Sequence, residues 1–189
     1  MRIIAIVLIL IVLLFAAVFV VIGLMSDKDY AFERSLFVPA PPAEVHALAG
    51  DFARWMDWSP FNAKAPGAVV TLGKTTSGVG ATQSSANGDD VLEFEILKTD
   101  PARGVEYEMV FVSGDRRTPC HGVISYEVVD GGTIVTWAMD GRMEMPILGG
   151  FAASTMDARF GPLFEKGLKE LLNAIEAGKK TADPTDSKK

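Results

Sequence analysis

The sequence predicts an α+β protein: an apolar N-terminal helix, then a curved antiparallel sheet of seven strands covered by a long C-terminal helix. Three observations carry this. Residues Ile3 to Met25 form an unbroken apolar run. Between Ala68 and Gly141, apolar and polar residues alternate at period two, punctuated by turn residues. Leu163, Phe164, Gly167, Leu168, Leu171, Leu172 and Ile175 then recur at helical spacing.

The first run holds 23 residues, 18 of them Ile, Leu, Val or Phe. At ~1.5 Å per residue it reaches roughly 35 Å, against about 30 Å for the hydrocarbon core of a bilayer. A cleaved signal would have a shorter apolar region ending at small residues. Here Ala16-Ala17 leads straight into more apolar sequence, so an uncleaved membrane anchor through residues 3–25 is expected. A buried core helix would carry a polar stripe, which this run lacks. Arg2 precedes the span, Lys28 follows it and Arg34 falls in a strand; a cytoplasmic N-terminus and an extracytoplasmic domain are expected.

Charge argues against nucleic acid and against electrostatic binding to anionic lipid headgroups. Setting Arg2 aside, the rest of the chain carries −7, against −6 for the whole. That is no footprint for nucleic acid. The lone Cys120 permits no internal disulfide.

Tyr30 to Val38 alternates as a strand, although Arg34 interrupts its apolar face. Pro39, Pro41 and Pro42 end it, and Pro42 suits the first turn of a helix. Two short helices follow, Ala43 to Ala49 and Asp51 to Trp58, with Asp51 as N-cap. Strands are expected at Val69 to Leu72 and Ala81 to Ser84, then, across an Asn87-Gly88 hairpin turn, at Val91 to Lys98. Val105 to Phe111 comes next, and Ile124 to Val128 follows Gly114 and Pro119. Asp130-Gly131-Gly132 turns the chain into Val135 to Met139. The final helix is expected to break at Gly161-Pro162 and to end near Gly178. The divisions are then an anchor and connector at 1–28, one folded domain at 29–178 and a disordered polar tail at 179–189.

That order resembles the SRPBCC superfamily of START-like and polyketide cyclase/dehydrase-like domains, particularly its bacterial subgroup with one N-terminal membrane helix. The resemblance rests on Val38-Pro39-Ala40-Pro41-Pro42-Ala43-Glu44-Val45, on Trp55-Met56-Asp57-Trp58-Ser59-Pro60-Phe61, on Gly78-Val79-Gly80-Ala81, on Gly131-Gly132-Thr133 with Val135-Thr136-Trp137-Ala138-Met139, and on Phe164-Glu165-Lys166-Gly167-Leu168. It implies a helix-grip fold, a sheet gripping the last helix, with a pocket for a lipid or other hydrophobic small molecule. The resemblance assigns no catalytic residues and no cofactor.

The residues expected to line or rim such a bowl are Trp55, Trp58, Phe61, Gln83, Tyr107, Met109, Phe111, Tyr126, Trp137, Met139, Met143 and Met145. Apolar lining and apolar core have the same composition, so a filled interior is the alternative. Methionine adapts to variable shapes and favours the pocket. Gly149-Gly150 is placed as a hinge at its mouth. Metal chemistry finds no convergent ligand set, since His46 and His121 stand apart and Cys120-His121 is only a dipeptide. Gly78-Val79-Gly80 lacks the rest of a dinucleotide motif. Glu93, Glu95, Glu106 and Glu108 fall on the face opposite the apolar residues and should meet water. An enzyme of the cyclase or dehydrase type would need an acid or base in the bowl, from Tyr107, Tyr126 or His121. A ligand-free interaction module is the third reading. The sequence names no protein partner.

Overall fold

The structure is a computed structural model, and it describes residues 2–62 and 67–182. Helix α1 (Arg2–Met25) precedes β1 (Asp29–Val38), α2 (Pro42–Ala49), a 3₁₀ turn (Phe52–Arg54) and α3 (Trp55–Trp58). Six strands follow: β2 (Val69–Leu72), β3 (Thr82–Asn87), β4 (Asp90–Asp100), β5 (Gly104–Ser113), β6 (Arg116–Val129) and β7 (Gly132–Arg142). Helices α4 (Gly149–Ser154) and α5 (Met156–Ala182) close the chain. α1 is apolar and long enough to cross a membrane, and it lies near the N-terminus, where a signal sequence has the same character.

All seven strands join one antiparallel sheet in the order β1-β7-β6-β5-β4-β3-β2. Short turns link β3 through β7 in succession, residues 73–81 join β2 to β3, and β1, set first in sequence beside the last strand, breaks the meander. The β3–β4 hairpin turns through Gly88-Asp89, with Gly88 at φ +62°. This is one residue later than Asn87-Gly88, because a glycine at the first central position supplies the positive φ of a II′ turn.

Register lays the inward residues out in rows. Tyr30, Gly141, Cys120, Met109, Phe94 and Gln83 form one row across the sheet. Phe32, Met139, Gly122, Tyr107 and Ile96 form the next. The period-two faces predicted for β4, β5 and β7 are the faces found: Phe94, Ile96, Val105, Tyr107, Met109, Val135, Trp137 and Met139 are all buried. On the other face Glu93 pairs with Arg117 and Glu106 with Lys98, while Glu95 and Glu108 meet water.

Arg34 explains its own irregularity. It sits on the inner face of β1, and its Nη2 and Nε donate to Asp157 Oδ1 at 2.7 Å and Glu165 Oε1 at 2.9 Å on α5. Those carboxylates flank Gly161-Pro162. The expected break there does not occur: α5 runs on through Pro162, and the interruption falls at Thr155, between α4 and α5. One guanidinium holds the turns on both sides of the proline, and a Cβ at Gly161 would collide with it. The helix also passes Gly178 and continues to Ala182. Lys179 Nζ secures this last stretch by donating to Pro39 O at 2.7 Å and pairing with Glu44. The polar tail expected from Lys179 is therefore helical at its start, and its remainder lies outside the described residues.

Pro119 lies within β6 rather than in a turn before it. It stands just beyond Cys120, where pairing with β7 stops, so β6 is an edge there and tolerates a residue without a backbone donor.

Candidate functional site

The interior under α5 is built by three tryptophans. The 3₁₀ turn and α3 carry Trp55 and Trp58 into the bowl, and Asp51 caps that segment by accepting from Ala53 N at 2.9 Å. Trp55 Nε1 donates to Ala49 O at 2.9 Å, and Trp58 Nε1 to Leu48 O at 3.3 Å. Both indoles are thereby fixed against the C-terminal end of α2. Trp137, from β7, donates through Nε1 to Tyr107 Oη at 2.7 Å. Each indole N–H has a partner, which is what permits such rings to be fully buried.

These rings touch one another. Trp55–Trp58 and Trp58–Trp137 have centroids 5.3 and 5.2 Å apart in edge arrangements. Trp137 stacks on Phe164 of α5 at 4.2 Å. Phe61 fills the gap between Phe94, Trp137 and Phe164. Gly167 brings α5 down onto this block, for a Cβ there would meet Trp137 and Pro60. Gly122 does the same below the ring of Tyr107.

The expected lining residues thus separate into groups. Trp55, Trp58, Phe61, Tyr107 and Trp137 are buried and packed against one another. Tyr126 lies farther along β6, where its hydroxyl is 3.3 Å from His46 Nδ1, and Thr99 Oγ1 is 3.0 Å from Nε2 of the same ring. His46 is a packing residue that joins α2 to β4 and β6. Gln83 forms a buried amide pair with Asn62, which donates to it at 2.6 Å. Beside that pair, Ser85 Oγ donates to Phe61 O. Gln83 is thereby engaged in holding the chain after α3 to β3.

The methionines and Phe111 form the remaining group, at the end of the inner face where β1 begins and α1 joins. Met109 and Met139 are buried. Met143 and Met145 are half-buried, as is Leu92. Phe111 continues the inward row of Tyr107 and Met109 yet is 38 % exposed. Sequence reasoning placed it on the right face. Leu92, directly opposite Phe111 on β4, completes this patch and was not among the expected lining residues. Its alternation with Glu93 was the available signal.

Two clefts open outside the aromatic block. One, of about 440 Å³, is lined on the outer face by Thr71, Thr82, Ser84, Glu93, Glu95 and Arg117 among others. The other, of about 560 Å³, lies at the β1–β7 end, bordered by Asp29 to Ala31 and Asp140 to Arg142. The glycines placed as a hinge do a different job. Gly149 and Gly150 are buried at the start of α4, and Cβ atoms there would strike Met143 O and Ser26. They permit close packing of α4 against the connector.

The buried phenols, thiol and imidazole are all shifted toward their neutral forms. Burial raises the phenols of Tyr107, Tyr126 and Tyr30 well above the ordinary tyrosine range. It pushes the Cys120 thiol up to about 12. Desolvation lowers His46 below the usual imidazole value, partly offset by the charge of Asp100. His121 is on the outer face beside Asp140 and Glu106, away from the bowl. Among the described residues no group of three or more His, Cys, Asp or Glu could hold a metal ion.

Comparison with known proteins agrees with this architecture. The chain is similar to CV1439 of Chromobacterium violaceum, at 16 % identity over 77 % of this chain and 96 % of that one, with a TM-score of 0.58. A Rhizobium leguminosarum protein matches at 16 % identity over 80 % and 97 %, with a TM-score of 0.60. SA2116 of Staphylococcus aureus matches at 11 % identity over 82 % and 98 %, with a TM-score of 0.61. At such identities these likenesses show the shared fold alone. No curated protein matches the chain. Residues 30–176 match the family model described as polyketide cyclase / dehydrase and lipid transport. With a seven-stranded sheet gripping its C-terminal helix and a family match across nearly all of that unit, the chain belongs to the SRPBCC-type polyketide cyclase/dehydrase and lipid transport family.

Proposed function

We propose that this is a membrane-tethered domain, residues 29–178, that binds a lipid or other hydrophobic small molecule between sheet and C-terminal helix. In this reading α1 is an uncleaved anchor and the domain is extracytoplasmic. The observation that carries the proposal is the asymmetry of the inner face. One end is closed by hydrogen-bonded indoles. The other, at the end of the strands where β1 begins, leaves Phe111 exposed and Leu92, Met143 and Met145 half-buried. Flexible methionine side chains around an apolar opening suit a ligand of variable shape. An apolar molecule entering there would first meet Phe111 and the methionines, then Met109 and Met139. Deeper entry would require the Trp55–Trp58 segment to shift.

The neutral phenols support binding over acid–base chemistry. Tyr107 accepts from Trp137 and is shielded from water, a structural use of its hydroxyl. The second reading is a ligand-free interaction module, favoured by the mutual saturation of the aromatic block.

Native mass spectrometry of the full chain, extracted from membranes in mild detergent, discriminates the two. Retained lipid or hydrophobic mass is expected, reduced in Phe111→Glu and unchanged in Val128→Glu, whose site is 69 % exposed at the far end of β6. No retained mass, or equal retention in both variants, refutes the binding reading.

A further inference from the structure

Between Met145 and Met156 the chain carries no charged side chain. This stretch contains α4 and the turn that leads into it, and it packs directly on the last turns of α1. Phe151 stacks on Phe19 with centroids 5.0 Å apart and planes 5° from parallel. At Gly23 a Cβ would collide with the backbone carbonyl of Ile147. Leu148, between these two contacts, remains 54 % exposed.

Depth follows from helix geometry. Phe19 is six residues before Met25, so it lies about 9 Å back along the axis. The apolar run exceeds the ~30 Å hydrocarbon thickness by only a few ångströms, so a spanning α1 places Phe19 inside the hydrocarbon boundary. A ring stacked on it is at the same depth. We infer that residues 145–154 form a second membrane-contacting element, a wedge seated in the headgroup–acyl boundary of the bilayer beside α1. This rests on the reading of α1 as a membrane span.

The polar groups of the segment are arranged for that setting. A backbone leaving water must satisfy its own donors and acceptors. Gly149 N donates to Met145 O, Ala152 N to Leu148 O and Thr155 N to Ala152 O. The hydroxyls of Ser154 and Thr155 turn back onto Phe151 O and Ala152 O at 2.8 Å each. Charge resumes at Glu144, one residue before the segment, beside Arg142, which pairs with Asp29 at 2.6 Å. A wedge so placed lies between the bilayer and the methionine-lined end of the inner face.

The test places an environment-sensitive fluorophore on Leu148→Cys in the full chain, reconstituted in phosphatidylcholine nanodiscs containing nitroxide lipids. Ile11→Cys in α1 and Val128→Cys at the far end of the sheet are labelled in parallel, and the unsubstituted chain is the blank for buried Cys120. Expected is strong quenching at position 148 by nitroxides near the headgroup, weaker quenching by nitroxides near the chain ends, and none at position 128. A quenched label at 11 with an unquenched one at 148 overturns the wedge and leaves the anchor standing. Unquenched labels at both 11 and 148 overturn the anchor, and the wedge with it.

Discussion

Replacing Tyr107 by phenylalanine asks whether the bowl is dry. The substitution removes one oxygen and keeps the ring that packs on Trp55 and Phe94. That oxygen accepts the Trp137 indole N–H at 2.7 Å, and both side chains are completely buried. In a sealed interior the orphaned N–H finds no water, and the loss is the full desolvation penalty of a buried donor, about 1–3 kcal/mol. For a domain of this size each kcal/mol moves the melting temperature by roughly 2–4 °C, so a drop of about 4–8 °C is expected near the middle of that range. The assay is thermal unfolding of the full chain in nanodiscs, followed by near-ultraviolet circular dichroism, with Trp137→Phe and the double variant completing a cycle. In the double variant the coupling should recover part of the loss, because both polar partners are gone. A melting temperature within a degree or so of the parent, with no coupling, would mean that solvent or ligand reaches the indole and that the closed block is wrongly described.

Gly122→Ala should destabilise by about 1–3 kcal/mol through overpacking, since its Cβ would overlap the Tyr107 ring; denaturant melts of the full chain check this. His46 gives a pH dependence. Its folded pKa is depressed by burial, so the unfolded chain takes up its proton first as pH falls. Stability is full above the unfolded value of about 6.5 and declines below it. His46→Gln should flatten the melting profile across about pH 5–7, and an unchanged slope would refute this. The Cys120 thiol, raised to about 12 by burial, should resist alkylation in the native chain and react only as the chain unfolds; fast labelling without denaturant contradicts its placement.

Much of this was legible along the chain because period two and period 3.6 are local properties. The strands of the meander, the Asp51 cap and the wet face of carboxylates all follow from neighbours a few residues apart. Arg34 shows where that reach ends. Its position in an apolar row was visible, but its purpose depends on Asp157 and Glu165, more than a hundred residues away. Without that contact Pro162 reads as a helix stop. Gly149-Gly150 reads as a hinge for the same reason, since the connector that crowds it is distant in sequence. The strand residues expected to line the bowl were identifiable as inward-facing, but which of them are buried and which exposed is decided by where α3 and α5 lie over the sheet. Composition does not encode that placement.

Only Ser26 to Lys28 separate the end of α1 from the start of β1, and Ser26 still bonds back to Ile22 O at 2.7 Å. Three residues extend about 10 Å at most. Under the proposed anchoring, so short a leash would keep the folded unit pressed to the bilayer. So held, it would not carry a ligand across an aqueous gap. A hydrophobic ligand of the proposed kind would then reach it from the leaflet, or from something that docks at that same surface.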